Sequence, residues 1–305
     1  MKHHFLSQVY LKGFVRRAGG AEHANKKVFV TDLRERTIEP VLPKDTAFLE
    51  DFYAVATEDG GKDHAVEQMW AAIEVRAAKH LRRLRRYGGE FDAEGLSWVL
   101  PMVAIHFGRV PHQRAMVRTA RTQTRRIIAD LLANDFGLFC AEYRRARPAD
   151  PSTDAQLFST WVELPSVTED AIQLPPEAGL SETIHLVQVA GKIFCSMAWM
   201  CLETDATEGF LTSDRPVVPF SSSATNALGH GLGRQDIEVT FPISSRVCLR
   251  GVWEGVHLQR RKIEPAEVMA INRRTVSRAT NACYAHSEAL ASWALSLRTA
   301  VGSEV

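Results

Sequence analysis

The amino-acid sequence reads as an α+β protein. It has a helix-rich N-terminal half packed on a mixed or antiparallel sheet, formed mainly by the C-terminal half plus N-terminal strands. Three observations predict this. Apolar residues recur at helical spacing between about residues 63 and 146. Extended, β-branched stretches concentrate later, at about 197–260. Between them, residues 147–176 hold Pro148, Pro151, Pro165, Pro175 and Pro176 and read as a loop-rich connection. Helices that come in a run before the strands, rather than alternating with them, argue against an α/β fold. The chain is read as one unit, 1–305, with these three stretches as subregions.

The elements follow in order. Ser7 caps a short helix that ends near Phe14. Lys27 to Thr31 is apolar and β-branched and reads as a strand, with Thr37 to Leu42 as its antiparallel partner. Asp51 to Val55 reads as another extended piece, closed by the turn Glu58-Asp59-Gly60-Gly61. A long helix spans about Asp63 to Tyr87. Asp63 is its expected N-cap, and Ala65, Met69, Ala72, Ile73, Ala77, Leu81 and Leu84 are its apolar positions. A second helix starts at Asp92 and carries Leu96, Val99, Val103 and His106, with a kink or late start expected at Pro101. Further helices span about Gln113–Asn134, Gly137–Arg145 and Ser181–Phe194. Strands are expected at Met197–Leu202, Gly209–Asp214, Asp236–Ile243, Arg246–Trp253 and Val256–Gln259. Helices at about Pro265–Ala279 and Ser287–Thr299 close the chain.

Composition narrows the class. Hydrophobic residues make up 45% and charged residues 24%, as in ordinary globular proteins. No apolar run reaches the ~20 residues of a membrane helix. The N-terminus lacks an apolar core of signal-peptide length, so no export signal is expected. The five cysteines form no C-x-x-C pair, which suits reduced, buried thiols in a cytoplasmic protein.

The net charge of +1 hides an uneven distribution. Between Val75 and Arg126 there are twelve Lys or Arg and three acids, so the remainder of the chain carries −8. Arg114, Arg118, Arg121 and Arg125 are spaced 4, 3 and 4 apart and share one helix face. Guanidiniums in such a row suit phosphate, which points to nucleic acid as a partner. A solvated face is the plainer alternative.

Three motifs stand out. The chain opens with His3-His4, then Tyr10-Leu11-x-x-Phe14. Later come Phe210-Leu-Thr-Ser-Asp214-Arg-Pro216-Val217 and Phe241-Pro242-Ile243-Ser244. Together they resemble the bacterial family called domain of unknown function 4238. Its members open with two histidines, a proline and Tyr-Leu-x-x-Phe, then carry Ser-Asp-x-Pro and Pro-(Leu/Ile)-Ser segments. Here Ser7 stands where the family often has proline. Glu74 and Arg109-x-Pro111 sit where such proteins often have an acidic helix residue and an Arg-Pro pair. The resemblance spans roughly His3 to His286 and implies that both halves form one unit; it implies no reaction.

The candidate site follows from these residues. Adjacent side chains diverge on a helix or strand, so His3 and His4 are not expected to share one metal. One histidine, preferentially His4, is expected to face Asp214 as acid–base group or metal ligand. Pro216 ends the strand and leaves the Asp214 carboxylate at its end. Glu74 lies beside Trp70 on an inward face, and a buried carboxylate needs a partner, for which Arg109 is the candidate. The catalytic set is therefore His3, His4, Glu74, Arg109 and Asp214, with a divalent metal on His4 and Asp214. No Gly-rich phosphate loop, G-x-S-x-G or H-E-x-x-H motif is present. Gly229-His230-Gly231 is a candidate lid. The function expected is a metal-dependent or histidine-based phosphodiesterase on RNA or DNA. The alternatives are a non-enzymatic binding or scaffold protein whose His, Asp and Arg form a structural network, and an enzyme for a small anionic substrate.

Overall fold

A computed structural model describes residues 1–15, 26–86, 88–162, 179–223, 231–255 and 257–302. Part of the 147–176 connection and the candidate lid at Gly229-His230 lie outside the described residues. The chain is α+β and divides into two compact units, one of residues 1–113 with 182–305 and one of residues 114–181.

The larger unit is built on two sheets. One is five-stranded, in the order β12 (Gln259–Lys262), β7 (Ala198–Glu203), β11 (Val247–Val252), β10 (Glu238–Pro242), β9 (Val218–Phe220). Its pairs are antiparallel except β12 with β7. The other is antiparallel and joins the two ends of the chain, in the order β3 (Thr37–Val41), β2 (Val28–Asp32), β13 (Ala282–Ala285), β8 (Thr212–Ser213). Two small ladders complete the set: β1 (Lys2–His4) with β4 (Phe48–Glu50), and β5 (Val55–Ala56) with β6 (Lys62–Asp63).

Helices α2 (Ala65–Leu84) and α3 (Ala93–Gly108) pack together in this unit. The Asp92 carboxylate caps α3 by accepting from the Gly95 N–H at 2.6 Å. Pro101 interrupts nothing: α3 continues through it, with the proline on the exposed side. The buried face of α2 is Trp70, Ala77, His80, Leu81 and Leu84, while Met69 is 45% exposed. Ala77, Leu81 and Leu84 thus face inward as expected, whereas Ala65, Met69 and Ala72 are exposed; in the first turns the inward side passes instead through Glu67, Trp70 and Glu74. The N-cap is His64 rather than Asp63, whose carboxylate instead accepts from the Ala65 N–H. Asp51 to Tyr53 forms a turn rather than a strand.

Docking of the N-terminal segment explains why its motif is apolar. Leu6, Tyr10, Leu11 and Phe14 are fully buried. Ser7 caps α1 (Gln8–Leu11) through the Tyr10 N–H. The Tyr10 ring stacks on Phe241 at 4.9 Å, and its hydroxyl donates to the Pro242 carbonyl at 2.7 Å. That leaves Thr212 Oγ1, also at 2.7 Å, to donate to Tyr10. One buried tyrosine therefore joins all three sequence motifs.

The remaining helices of the larger unit are α7 (Leu180–Ser196), α8 (Pro265–Arg278) and α9 (Glu288–Gly302). The smaller unit contains most of α4 (Pro111–Asn134), then α5 (Phe136–Ala146) and α6 (Asp154–Val162). Phe139, Cys140 and Leu157 form its own apolar cluster, and the Trp161 indole donates to the Leu132 carbonyl.

Candidate functional site

Arg109, the C-cap of α3, is the centre of the site. Its side chain is 1% exposed and pairs with Glu74 of α2 at 2.5 Å. Its Nε donates to the Phe5 carbonyl at 3.0 Å, and its own carbonyl accepts from the Tyr53 hydroxyl at 2.8 Å. The guanidinium carbon lies 6.0 Å from the Trp70 ring centre, and Trp70 meets Tyr53 edge to face. A fully buried cation needs such compensation, and it receives a carboxylate, a carbonyl and an aromatic wall.

Two carboxylates share this neighbourhood because α2 brings them to one face. Glu67 and Glu74 are seven residues apart, about two helical turns, with Trp70 between them. Burial pushes both carboxyls above their ordinary value, against the pull of Arg109; the charge of Glu74 raises Glu67 further. Glu67 Oε2 is buried and has no hydrogen-bond partner among the described residues. His4 is half-buried at the end of β1. Its Nε2 donates to the Lys44 carbonyl at 3.2 Å, so Nδ1 keeps the lone pair. Burial, helped by the charges of Arg109 and Lys2, holds its pKa below 6.5. A histidine lowered and carboxyls raised around one arginine bring two opposite kinds of proton carrier closer together in pKa.

His3 is fully buried and points elsewhere. Its Nδ1 accepts from the Tyr53 N–H at 2.9 Å, and its Nε2 lies 3.0 Å from His64 Nδ1. Together with Asp51 these two histidines are the group among the described residues that could converge on a cation. The donor chemistry does not fit one. Because Nδ1 accepts, the neutral His3 ring carries its proton on Nε2, the atom that would have to bind the metal. Ligation there would require an imidazolate, whereas metal-bound histidines normally donate their other ring N–H. The Asp51 oxygens are also engaged, by Lys62 Nζ at 2.6 Å and the Met1 amino group at 2.7 Å.

Asp214 is 5% exposed and does not meet His4 through any hydrogen bond or ion pair among the described residues. Its carboxylate accepts from the Thr280 and Asn281 N–H groups at 2.9 and 2.6 Å, fixing the turn into β13. Burial raises its pKa, with those N–H groups opposing. It serves the turn, as the plainer expectation for a strand-end Asp has it. Among the arginines of α4, Arg118 and Arg125 are exposed, Arg121 is half-buried and Arg114 is buried.

The structure thus brings Glu74, Arg109 and His4 into one electrostatic neighbourhood and sets His3 and Asp214 to other tasks. Glu67 and His64 escape the sequence reading: an acid in the first turns of α2 is explained by the helix dipole, and Asp63, not His64, is the expected cap. The signal available for Glu67 is its seven-residue spacing from Glu74 across a tryptophan. A family model described as "Protein of unknown function (DUF4238)" matches residues 2–289. No curated protein and no solved structure matches the chain.

Proposed function

The chain belongs to the DUF4238 family, and from its own residues we propose that it is a histidine- and carboxylate-based phosphodiesterase acting on RNA. The observation that carries this is the fully buried Arg109 paired with Glu74, its charge acting on His4 and on Glu67, whose buried Oε2 has no hydrogen-bond partner among the described residues. In this reading His4 Nδ1 takes the proton of an RNA 2′-hydroxyl, whose oxygen attacks the adjacent phosphorus. The 5′-oxygen leaves with a proton from the Glu67 carboxyl, and a 2′,3′-cyclic phosphate forms. Glu74 and Arg109 act through charge: Arg109 is too buried to touch a phosphate and sets the protonation of the groups that do. The smaller unit carries exposed arginines of its own, Arg118 and Arg125, which suit phosphate contacts there. No step runs through a metal, because His3, Asp51 and His64 are a poor donor set for one.

A second reading is a non-enzymatic binding or scaffold protein. The observation that favours it is that Arg109 is fully buried and ties Phe5, Tyr53 and Glu74 together, which would serve stability alone. Labelled single-stranded RNA and its DNA counterpart separate the two. The enzyme predicts RNA cleavage that survives EDTA, stops at a 2′-deoxy position, and falls at least 100-fold in His4→Asn and Glu67→Gln with little change in melting temperature. Absence of cleavage by the wild type with EDTA, Mg²⁺ or Mn²⁺ refutes it.

A further inference from the structure

Away from Arg109, a cavity of about 360 Å³ is lined by Gly13, Val15, Arg85, Ser244, Ser245, Arg246, His286 and Ser287. We propose that this cavity is a binding site for the oxyanion of a small phosphorylated ligand, a phosphate monoester in preference to a carboxylate.

Several features point the same way. The described lining supplies two guanidiniums, one imidazole and three hydroxyls, and no carboxylate. Arg246 donates to the Ala206 carbonyl and forms no ion pair among the described residues. The acid whose charge it feels is Asp205, which is engaged with Lys262 at 2.5 Å. Hydrogen bonds to a carbonyl leave the cation's charge in place, so the cavity stays positive. Ser287 adds a helix start: its Oγ accepts from the Leu290 N–H, so the N–H groups opening α9 lie beside it. His286 Nδ1 is buried without a hydrogen-bond partner among the described residues, while the ring donates to the Thr207 carbonyl, so Nδ1 becomes a donor to an anion when the ring is protonated. A buried polar atom left unsatisfied costs stability and asks for a ligand or an ordered water.

The cavity walls are fixed. Ser244 Oγ accepts from the Arg246 and Val247 N–H groups and locks the turn that carries Ser245 and Arg246. The Ser245 N–H donates to the Gly13 carbonyl, and its own carbonyl accepts from the Phe210 N–H. A Cβ at Gly13 would lie 2.2 Å from the Ile243 carbonyl oxygen, and one at Gly209 would lie 2.3 Å from that of Ser245. Two glycines therefore let neighbouring chain close on this turn. Arg85 braces it through the carbonyls of Val9, Tyr10 and Ile243. Small-molecule pockets span roughly 300–1,000 Å³, so this one suits a phosphate with an attached group better than a bare ion. Donors from several directions match the three oxygens of a phosphate monoester better than the two of a carboxylate.

The test is calorimetric titration of the full chain with inorganic phosphate, glycerol phosphate and acetate, against sodium chloride of equal ionic strength. Both phosphates are expected to bind and to raise the melting temperature, with glycerol phosphate tighter than phosphate and acetate at least tenfold weaker. Arg246→Gln is expected to weaken phosphate at least tenfold, and Glu74→Gln to leave it unchanged, which separates this site from that of Arg109. Affinity is expected to rise as pH falls, because the bound anion favours the charged form of a histidine whose charged neighbours among the described lining residues are Arg85 and Arg246. His286→Asn should flatten that slope. Should Arg246→Gln fail to fold, Ser245→Asp decides, since a carboxylate there must abolish binding. Wild-type protein that shows no heat beyond the chloride control, or Arg246→Gln or Ser245→Asp binding phosphate as the wild type does, overturns the proposal.

Discussion

At the scale of the residue, Arg109 and Glu74 show how a buried charge differs from a surface one. An exposed pair contributes little, because water screens it and side-chain entropy opposes it. Arg109 is 1% exposed and Glu74 15%, so removal of the cation strands a carboxylate in a poorly solvated place. Arg109→Met is expected to destabilise the fold by about 3–5 kcal/mol, as breaking one side of a buried pair does. Arg109→Met with Glu74→Leu is expected to recover part of that loss. Chemical denaturation of the two single variants and the double variant checks this; a double variant no better than Arg109→Met would show that Glu74 is not the partner that matters. This pairing was legible in the sequence, because an acid beside Trp70 on an inward face demands a cation and Arg109 stood in the neighbouring helix. The expected His4–Asp214 meeting does not form. A strand-end aspartate looks the same whether it faces a ligand or a turn, and only the Thr280 and Asn281 N–H groups distinguish the two. Glu67 was hidden for another reason: an acid in a first helical turn already has a sufficient explanation in the helix dipole.

Elements show where local propensity yields to packing. The apolar run of α3 outweighs Pro101, which sits on the exposed side of an unbroken helix with ten buried residues. A proline in the interior of a helix costs its missing hydrogen bond, and here the buried side repays it. The later part of the α2 stripe, Ala77, Leu81 and Leu84, is buried as expected, but in the first turns the alanines and Met69 suggested a face that Trp70 sets instead. Strand β8 proved shorter than its apolar run: the Phe210 and Leu211 N–H groups go to the Ser245 carbonyl and Asn272 Oδ1 instead of a ladder, and the Asp214 turn ends it after Ser213. The α+β order itself was legible, because a run of helical periodicity followed by β-branched stretches needs no long-range information. The pairing of β2 with β13 across the whole chain was not, since register between distant strands leaves no mark in either. Gly13 is where two such distant elements touch. A Cβ there would lie 2.2 Å from the Ile243 carbonyl oxygen and 2.8 Å from Arg85 Nη2. Backbone is on one side and a braced guanidinium on the other, so Gly13→Ala is expected to cost about 1–3 kcal/mol, the range for overpacking. The measurement is the urea midpoint; an unchanged midpoint would mean that the turn at Ser244 yields.

For the whole molecule, pH acts on two opposed sets of buried groups. His3, His4, His106 and His286 have pKa values lowered from 6.5, with burial the first cause in each. His106 is the extreme case, fully buried between Arg109 and Arg85, donating from Nδ1 to the Met102 carbonyl at 2.8 Å and accepting the Ser7 N–H at Nε2. Below pH 6.5 the unfolded chain binds protons that these folded-state rings refuse. Stability from this set is complete above 6.5 and is lost as pH falls through the lowered values. Glu67, Glu74 and Asp214 have pKa values raised from 4.5, 4.5 and 3.8. For them the folded state holds the proton longer, so their contribution is complete below the unfolded values and is lost as pH rises through the raised ones. The two slopes have opposite signs, the glutamates acting upward from 4.5 and the histidines downward from 6.5, and single variants can separate them. His106→Gln keeps a donor and an acceptor but removes the titration, and should lose less stability than the wild type between pH 7 and pH 5. Glu74→Gln removes a slope of the other sign and should lose more over the same interval. Urea unfolding of the three proteins at half-unit steps of pH measures both. Parallel curves for all three would mean that neither buried group titrates differently in the folded and unfolded chain, and that the charge pattern around Arg109 does not control protons at all.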